Sequence, residues 1–127
     1  MQSMQSNNID SRHEREVLTK AVVHSGKLMG LRAIDLGQIL GLSKSTVSRM
    51  GDGSYLLKKA GKEWELAALL IRLYRSLDAI MGGDETAIRS WLTGYNTALT
   101  DPPNTLITHI TGLTRTVDYV DAYRARV

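Results

Sequence analysis

Apolar residues recur at helical spacing along most of this chain, and no stretch alternates with period two for long enough to form a strand. Between Ser11 and Met29, the residues Val17, Ala21, Val22 and Leu28 share one stripe while Arg12, Glu16, Lys20 and Lys27 lie outside it, which predicts an amphipathic helix. Leu36, Ile39, Leu40 and Leu42 are followed by Val47 and Met50, the spacing of two short helices joined by a turn. The most apolar segment is Glu63 to Met81, where Trp64, Leu66, Leu69, Leu70, Leu73, Leu77 and Ile80 are joined by Ala67, Ala68, Ile71 and Tyr74 on further faces. Gly82-Gly83 ends it, and Asp84 is placed to cap a short helix carrying Ile88, Trp91 and Leu92, which Gly94 closes. Pro102-Pro103 opens another short helix with Leu106, Ile107 and Ile110, ending at Gly112. A last helix, from Leu113 to about Arg126, sets Leu113, Val117, Val120 and Tyr123 on one stripe. The predicted fold class is all-α. Residues 1–10, MQSMQSNNID, are polar and expected to form a disordered tail; residues 11–62 form a helix-turn-helix unit and residues 63–127 a second helical unit.

The segment LGQILGLSKSTVSRM (Leu36–Met50) meets the steric demands of a helix-turn-helix. Two helices that cross steeply need a small residue where they touch, a turn residue that tolerates positive φ and an apolar anchor on the second helix; Gly37, Gly41 and Val47 fill those roles. Ser43 is positioned to cap the second helix. With Val47 and Met50 inward, Lys44 with Ser48 and Ser45 with Arg49 become two outward pairs near the helix start, the positions that reach base edges when such a helix lies in the major groove. Thr46 joins them as a candidate DNA contact. An ordinary helical hairpin with solvated Lys and Arg is the bland alternative, and three spaced constraints plus a capping Ser argue against it.

Charge distribution supports a polyanionic partner. The net charge is +3, but residues 1–62 carry +5 and residues 63–127 carry −2. After Met50, the glycine-bounded run GDGSYLLKKAG breaks periodicity and presents Lys58 and Lys59, with Lys62 beyond it, as candidate phosphate contacts; solubility alone would also select lysines there. With no cysteine, the chain has no disulfide framework or thiolate metal site, which fits a reducing cytoplasm. No run approaches membrane-spanning length, and the polar first residues do not read as a signal peptide.

The Glu63–Met81 helix is apolar over more than one face, so it either sits central in the core or gives a face to a partner. The simplest partner is a second copy, with Leu66, Leu70, Ile71 and Tyr74 as candidate homodimer contacts.

Three stretches of the second half carry a family resemblance: LLIRLYRSLDAIMGGDETAIRSWL (Leu69–Leu92), NTALTDPPNTLI (Asn96–Ile107) and TGLTRTVDYVDAYRARV (Thr111–Val127). With the Trp91-Leu92, Pro103 and Gly112 landmarks in order, the chain resembles the Xre/MbcA/ParS-type antitoxins, which join an Xre-like helix-turn-helix to a helical toxin-binding domain. It departs from them at Gly37, where Ala is more usual, a change expected to loosen the first motif helix by about 1 kcal/mol, and at the double proline followed by Asn104. The resemblance implies a bacterial type II antitoxin that silences a cognate toxin and represses its own operon at operator DNA. The usual partner is a RES-domain toxin, similar to ADP-ribosyltransferases and implicated in destroying NAD. In the family the C-terminal region covers the toxin's active-site entrance. That makes Val117, Asp118, Val120, Asp121, Tyr123, Arg124 and Arg126 candidate toxin contacts: Val117, Val120 and Tyr123 to pack within the domain or against the toxin, Asp121, Arg124 and Arg126 to reach the pocket mouth, and Asp118, Asp121 and the terminal carboxylate as candidate mimics of phosphate charge. A frayed terminal helix with solvated charges is the alternative.

No catalytic constellation is legible. His13, His24 and His109 are scattered, no His-x-x-x-His or carboxylate pair appears, and the glycines form no phosphate loop, so neither enzyme activity nor a cofactor or metal is expected. The competing function is a helix-turn-helix transcription regulator without a toxin partner, whose second half dimerises or senses a ligand.

Overall fold

Strong helix formers broken at glycine and proline give a run of helices. The computed structural model describes the backbone of residues 2–126 and the side chains of residues 11–126. Its helices are α1 (Gln2–Leu28), α2 (Ala33–Leu40), α3 (Lys44–Asp52), α4 (Lys62–Met81), α5 (Glu85–Thr93), α6 (Pro103–Leu106) and α7 (Ile110–Arg126). The fold class is all-α, as expected: a helix-turn-helix followed by a smaller helical region.

Helix α4 is the centre of the molecule. It packs against α1 on one side and α7 on the other, and also touches α2 and α5. One continuous core results, running from Val22 and Met29 through Leu36, Leu40, Val47 and Met50 to Leu66, Leu70, Leu73 and Leu77, and on to Ile88, Leu92, Leu113, Val117 and Val120. The helix-turn-helix therefore has no separate core. Of the two options left open for an all-round apolar helix, the chain takes the first: Leu66, Leu70 and Ile71 are buried inside one protomer and Tyr74 is half-buried against the core. Three of the four expected homodimer contacts are thus core residues, and the fourth, Tyr74, is partly covered.

Helix α1 differs from expectation in extent and in face. It begins at Gln2 and not at Ser11, since no Gly or Pro precedes Gly26 to stop a helix once nucleated; residue 1 of the expected tail lies outside the described residues. Its buried stripe is Thr19, Val22 and Ser25, continued by Met29 just beyond its end, with Val17 53% exposed. The reason is the segment after α3. Leu57 is fully buried against α1, and its backbone groups need partners away from water. The Leu57 N–H donates to the Thr19 hydroxyl at 3.0 Å, and the Arg15 guanidinium donates to the carbonyls of Leu57 at 2.8 Å and Leu56 at 3.1 Å. Polar side chains on the inner stripe are what that loop requires.

In the C-terminal region, Asp84 caps α5 by accepting the Ala87 N–H at 3.1 Å, and Pro103 occupies the first turn of α6. Gly112 does not end a helix. It lies in the first turn of α7, buried where α6 crosses, and a β-carbon there would stand 2.0 Å from the Leu106 carbonyl oxygen. Ile110, expected in the core, is 62% exposed because α7 starts with it pointing outward. No helix among the described residues is long and apolar enough to cross a membrane.

The packing around two glycines gives opposite expectations for the same substitution. Gly112→Ala forces α6 and α7 apart and should cost at least about 1–3 kcal/mol. Gly51→Ala, on an open face of α3 with nothing within 4 Å, should stabilise by about 0.5–1 kcal/mol. Urea midpoints of the two variants check both, and equal shifts would refute the crossing geometry.

Candidate nucleic-acid interface and C-terminal groove

The turn between α2 and α3 is built from three local contacts. Gly37 lies where α2 meets the turn, its carbonyl accepting the Leu42 N–H at 2.8 Å, and a β-carbon at Gly37 would stand 2.5 Å from the Leu42 carbonyl oxygen. The loosening expected of Gly37 is therefore misplaced, because this turn has no room for Ala. Gly41 takes the left-handed conformation, φ +71, that closes α2. The Ser43 hydroxyl accepts the Thr46 N–H at 3.1 Å and caps α3. At the start of α2, Asp35 accepts the Arg32 backbone N–H at 2.9 Å and its guanidinium at 3.0 and 3.1 Å, bonds that hold the Asp35 carboxyl below its ordinary range.

Helix α3 then shows the expected faces. Val47 and Met50 are buried, while Lys44, Ser45, Ser48 and Arg49 are exposed together. Thr46 behaves differently from these four: it is half-buried, and its hydroxyl pairs with that of Ser43 at 2.9 Å and accepts from Arg49 Nη2 at 3.1 Å. It supports Arg49 from inside the helix. A residue missed by the pattern of the motif, Tyr55, lies with its ring centroid 5.9 Å from the Arg49 guanidinium carbon. Its position after the Gly53 turn was the available signal.

The loop lysines divide. Lys58 is exposed, and its backbone N–H donates to Glu63 at 3.0 Å. Lys59 is ion-paired with Glu14 of α1, and Lys62 lies 3.7 Å from Glu65. The Lys59 charge is thus partly committed within the chain. Among the described residues no three His, Asp or Glu side chains come together as a metal site.

The candidate toxin contacts of α7 fall into three environments. Val117 and Val120 are buried within the domain, Val120 at the wall of a groove. Asp121 is half-buried and tied to α4: it accepts the Ser76 hydroxyl at 2.8 Å and is ion-paired with Arg72. Its charge is thus engaged inside the chain by Arg72, which argues against a role as a mimic of phosphate charge. Arg124 reaches the same Ser76 hydroxyl at 3.4 Å. Asp118 and Arg126 are exposed, Tyr123 is 51% exposed, and the terminal carboxylate of Val127 lies outside the described residues. Beside this staple lies an apolar groove of about 220 Å³ lined by Leu77, Ile80, Met81, Trp91, Tyr119, Val120 and Tyr123, from α4, α5 and α7. The Trp91-Leu92 pair explains itself here: Leu92 is core, and half-buried Trp91 is groove wall.

Comparison with known families separates the same two regions. The antitoxin Xre-like helix-turn-helix domain matches residues 10–72, and the antitoxin Xre/MbcA/ParS C-terminal toxin-binding domain matches residues 76–126. The chain carries both domains of these antitoxins. No curated protein matches it. Both matches reach into α4, the first ending at residue 72 and the second beginning at residue 76. Every residue lining the groove lies in the toxin-binding match.

Assigning base reading to Arg49 and backbone contact to Lys58 leads to distinct losses in a gel-shift titration on the chain's own promoter. Arg49→Ala should cost about 1–3 kcal/mol and relax preference at one base position, while Lys58→Ala should weaken all duplexes alike and flatten the salt dependence. Lys59→Ala should do less than Lys58→Ala, since Glu14 already neutralises it. Equal binding by wild type and Arg49→Ala would refute the reading of α3.

Proposed function

We propose that this antitoxin neutralises a RES-type, NAD-degrading toxin in the cytoplasm and represses its own operon as a homodimer. The observation that carries the toxin half is the preformed apolar groove, which lies wholly in the region similar to toxin-binding domains and is walled by Trp91, Tyr119 and Tyr123. Aromatic side chains around a concave apolar surface are the usual anchors of a protein interface. The Asp121–Arg72–Ser76 staple fixes the α7 wall against α4, so docking needs little reordering there. Beyond Tyr123, Arg124 and Arg126 are exposed, which supports their assignment to the mouth of a pocket on the toxin.

Operator binding calls for two copies. One α3 in one major groove contacts too few base pairs to select a site, and two-fold pairing sets half-sites about 34–36 Å apart on an inverted repeat. The buried side chains of α4 are not the pairing surface.

Two variants separate docking from blocking when co-expressed with the toxin of a neighbouring reading frame. Tyr123→Glu places a charge in the groove without disturbing a buried residue and should weaken the complex by about 2 kcal/mol or more, roughly 30-fold. Removing residues 124–127 keeps Asp121 and the groove, so the complex should survive while growth arrest returns. Full protection by both variants would remove the groove and the tail from the account. No protection by the full chain against a neighbouring RES-type toxin would favour a regulator without a toxin partner.

A further inference from the structure

Arg49 is held from two sides before any DNA arrives. Its Nη2 donates to Thr46 Oγ1 at 3.1 Å, and its guanidinium lies over the Tyr55 ring. The other N–H groups of the fork have no partner among the described residues. Tyr55 is itself fixed by contacts that a loop residue does not need for packing alone. Its backbone N–H donates to the Arg49 carbonyl at 3.1 Å, which turns the chain back over α3. Its hydroxyl donates to both carboxylate oxygens of Glu63, at 2.8 and 3.1 Å, and Glu63 also accepts the Lys58 N–H. Glu63 stands in the first turn of α4, where the helix dipole favours a carboxylate. Two residues on, Arg15 and Thr19 of α1 pin Leu56 and Leu57.

We infer that Tyr55, backed by Glu63, is a positioning residue for base reading by Arg49. A guanidinium recognises a guanine edge through two parallel N–H bonds, so its plane must be set as well as its charge. An unsupported arginine on a solvent-facing helix loses side-chain freedom on docking, and a ring held beneath it removes part of that loss beforehand. Burial raises the pKa of the Tyr55 hydroxyl, with the bond to Glu63 adding to the shift, so the hydroxyl stays a donor to the carboxylate at every pH used for DNA binding. The inference rests on α3 being the DNA-reading helix.

A double-mutant cycle on the full-length chain tests it, with the chain's own promoter duplex and a pool of randomised duplexes as probes and melting temperature as the control for folding. Tyr55→Leu should lose about 2- to 10-fold in affinity for the preferred duplex and flatten the selected base at the same position as Arg49→Ala. Tyr55→Phe, which keeps the ring and drops the bond to Glu63, should fall between wild type and Tyr55→Leu, and Glu63→Gln should resemble it. In an Arg49→Ala background, Tyr55→Leu should change nothing further, because a residue acting through Arg49 has no effect once Arg49 is gone. Equal losses in both backgrounds, or an unchanged base preference in Tyr55→Leu, would reduce Tyr55 to a loop-packing residue and overturn the inference. A wild-type chain that selects no sequence from the pool would overturn the DNA reading and this inference with it.

Discussion

Burial of α4 between α1 and α7 is the contact from which the rest of the structure takes its position. Leu70 and Leu73 are fully buried and Leu77 nearly so, each such side chain contributing about 1.5–3 kcal/mol relative to exposure. Helices α2 and α3, of 8 and 9 residues, are too short to persist alone in water and exist because α1 and α4 receive their apolar faces. The same helix supplies, at its other end, Leu77, Ile80 and Met81 to the groove. The candidate DNA-reading helix-turn-helix and the groove proposed for a protein partner are thereby both packed on one helix.

Polar contacts decide how the elements are oriented around that helix. Arg89 of α5 donates to the carbonyls of Lys27 at 3.1 Å and Leu28 at 3.3 Å, satisfying the end of α1 from the other half of the chain. Arg15 and Thr19 do the same for the loop after α3, and Asp121 fastens α7 through Ser76 and Arg72. Exposed ion pairs such as Arg12–Glu16 add little beside these, since solvent screens them. What distinguishes the three orienting contacts is that each joins elements distant in sequence, and those of Arg15, Thr19 and Asp121 also supply partners to groups partly removed from water.

The features legible in the sequence are those decided within one turn of helix. The Ser43 cap, the left-handed Gly41 and the Asp84 cap are each fixed by neighbours no more than four residues away, and they stand where the pattern put them, as do the inward Val47 and Met50. The resemblance drawn from Trp91-Leu92, Pro103 and Gly112 likewise matched the two antitoxin domains, though Gly112 serves a helix crossing and not a helix end. What the pattern could not show depended on distant partners. Thr19 meets Leu57 across 38 positions, Arg15 meets the same residue across 42, and Asp121 meets Ser76 across 45. Hence the pattern put exposed Val17 on the inner stripe of α1 and left out Thr19 and Ser25, and a structural carboxylate on α7 read as a free charge. The α4 helix was ambiguous for the same reason: periodicity gives the number of apolar faces and not what covers them.

One core shared by both halves requires that they unfold together, and the chain's two tryptophans report on them separately: Trp64 at the start of α4 and Trp91 on α5. Equilibrium unfolding in urea, followed by fluorescence of the single-tryptophan variants Trp64→Phe and Trp91→Phe, tests this directly. With each Leu70→Ala derivative measured against its own parent, the account predicts one cooperative transition in every variant and a loss of about 2–5 kcal/mol on Leu70→Ala whichever tryptophan reports it. Two separated transitions, or a Leu70→Ala effect confined to one tryptophan, would contradict it.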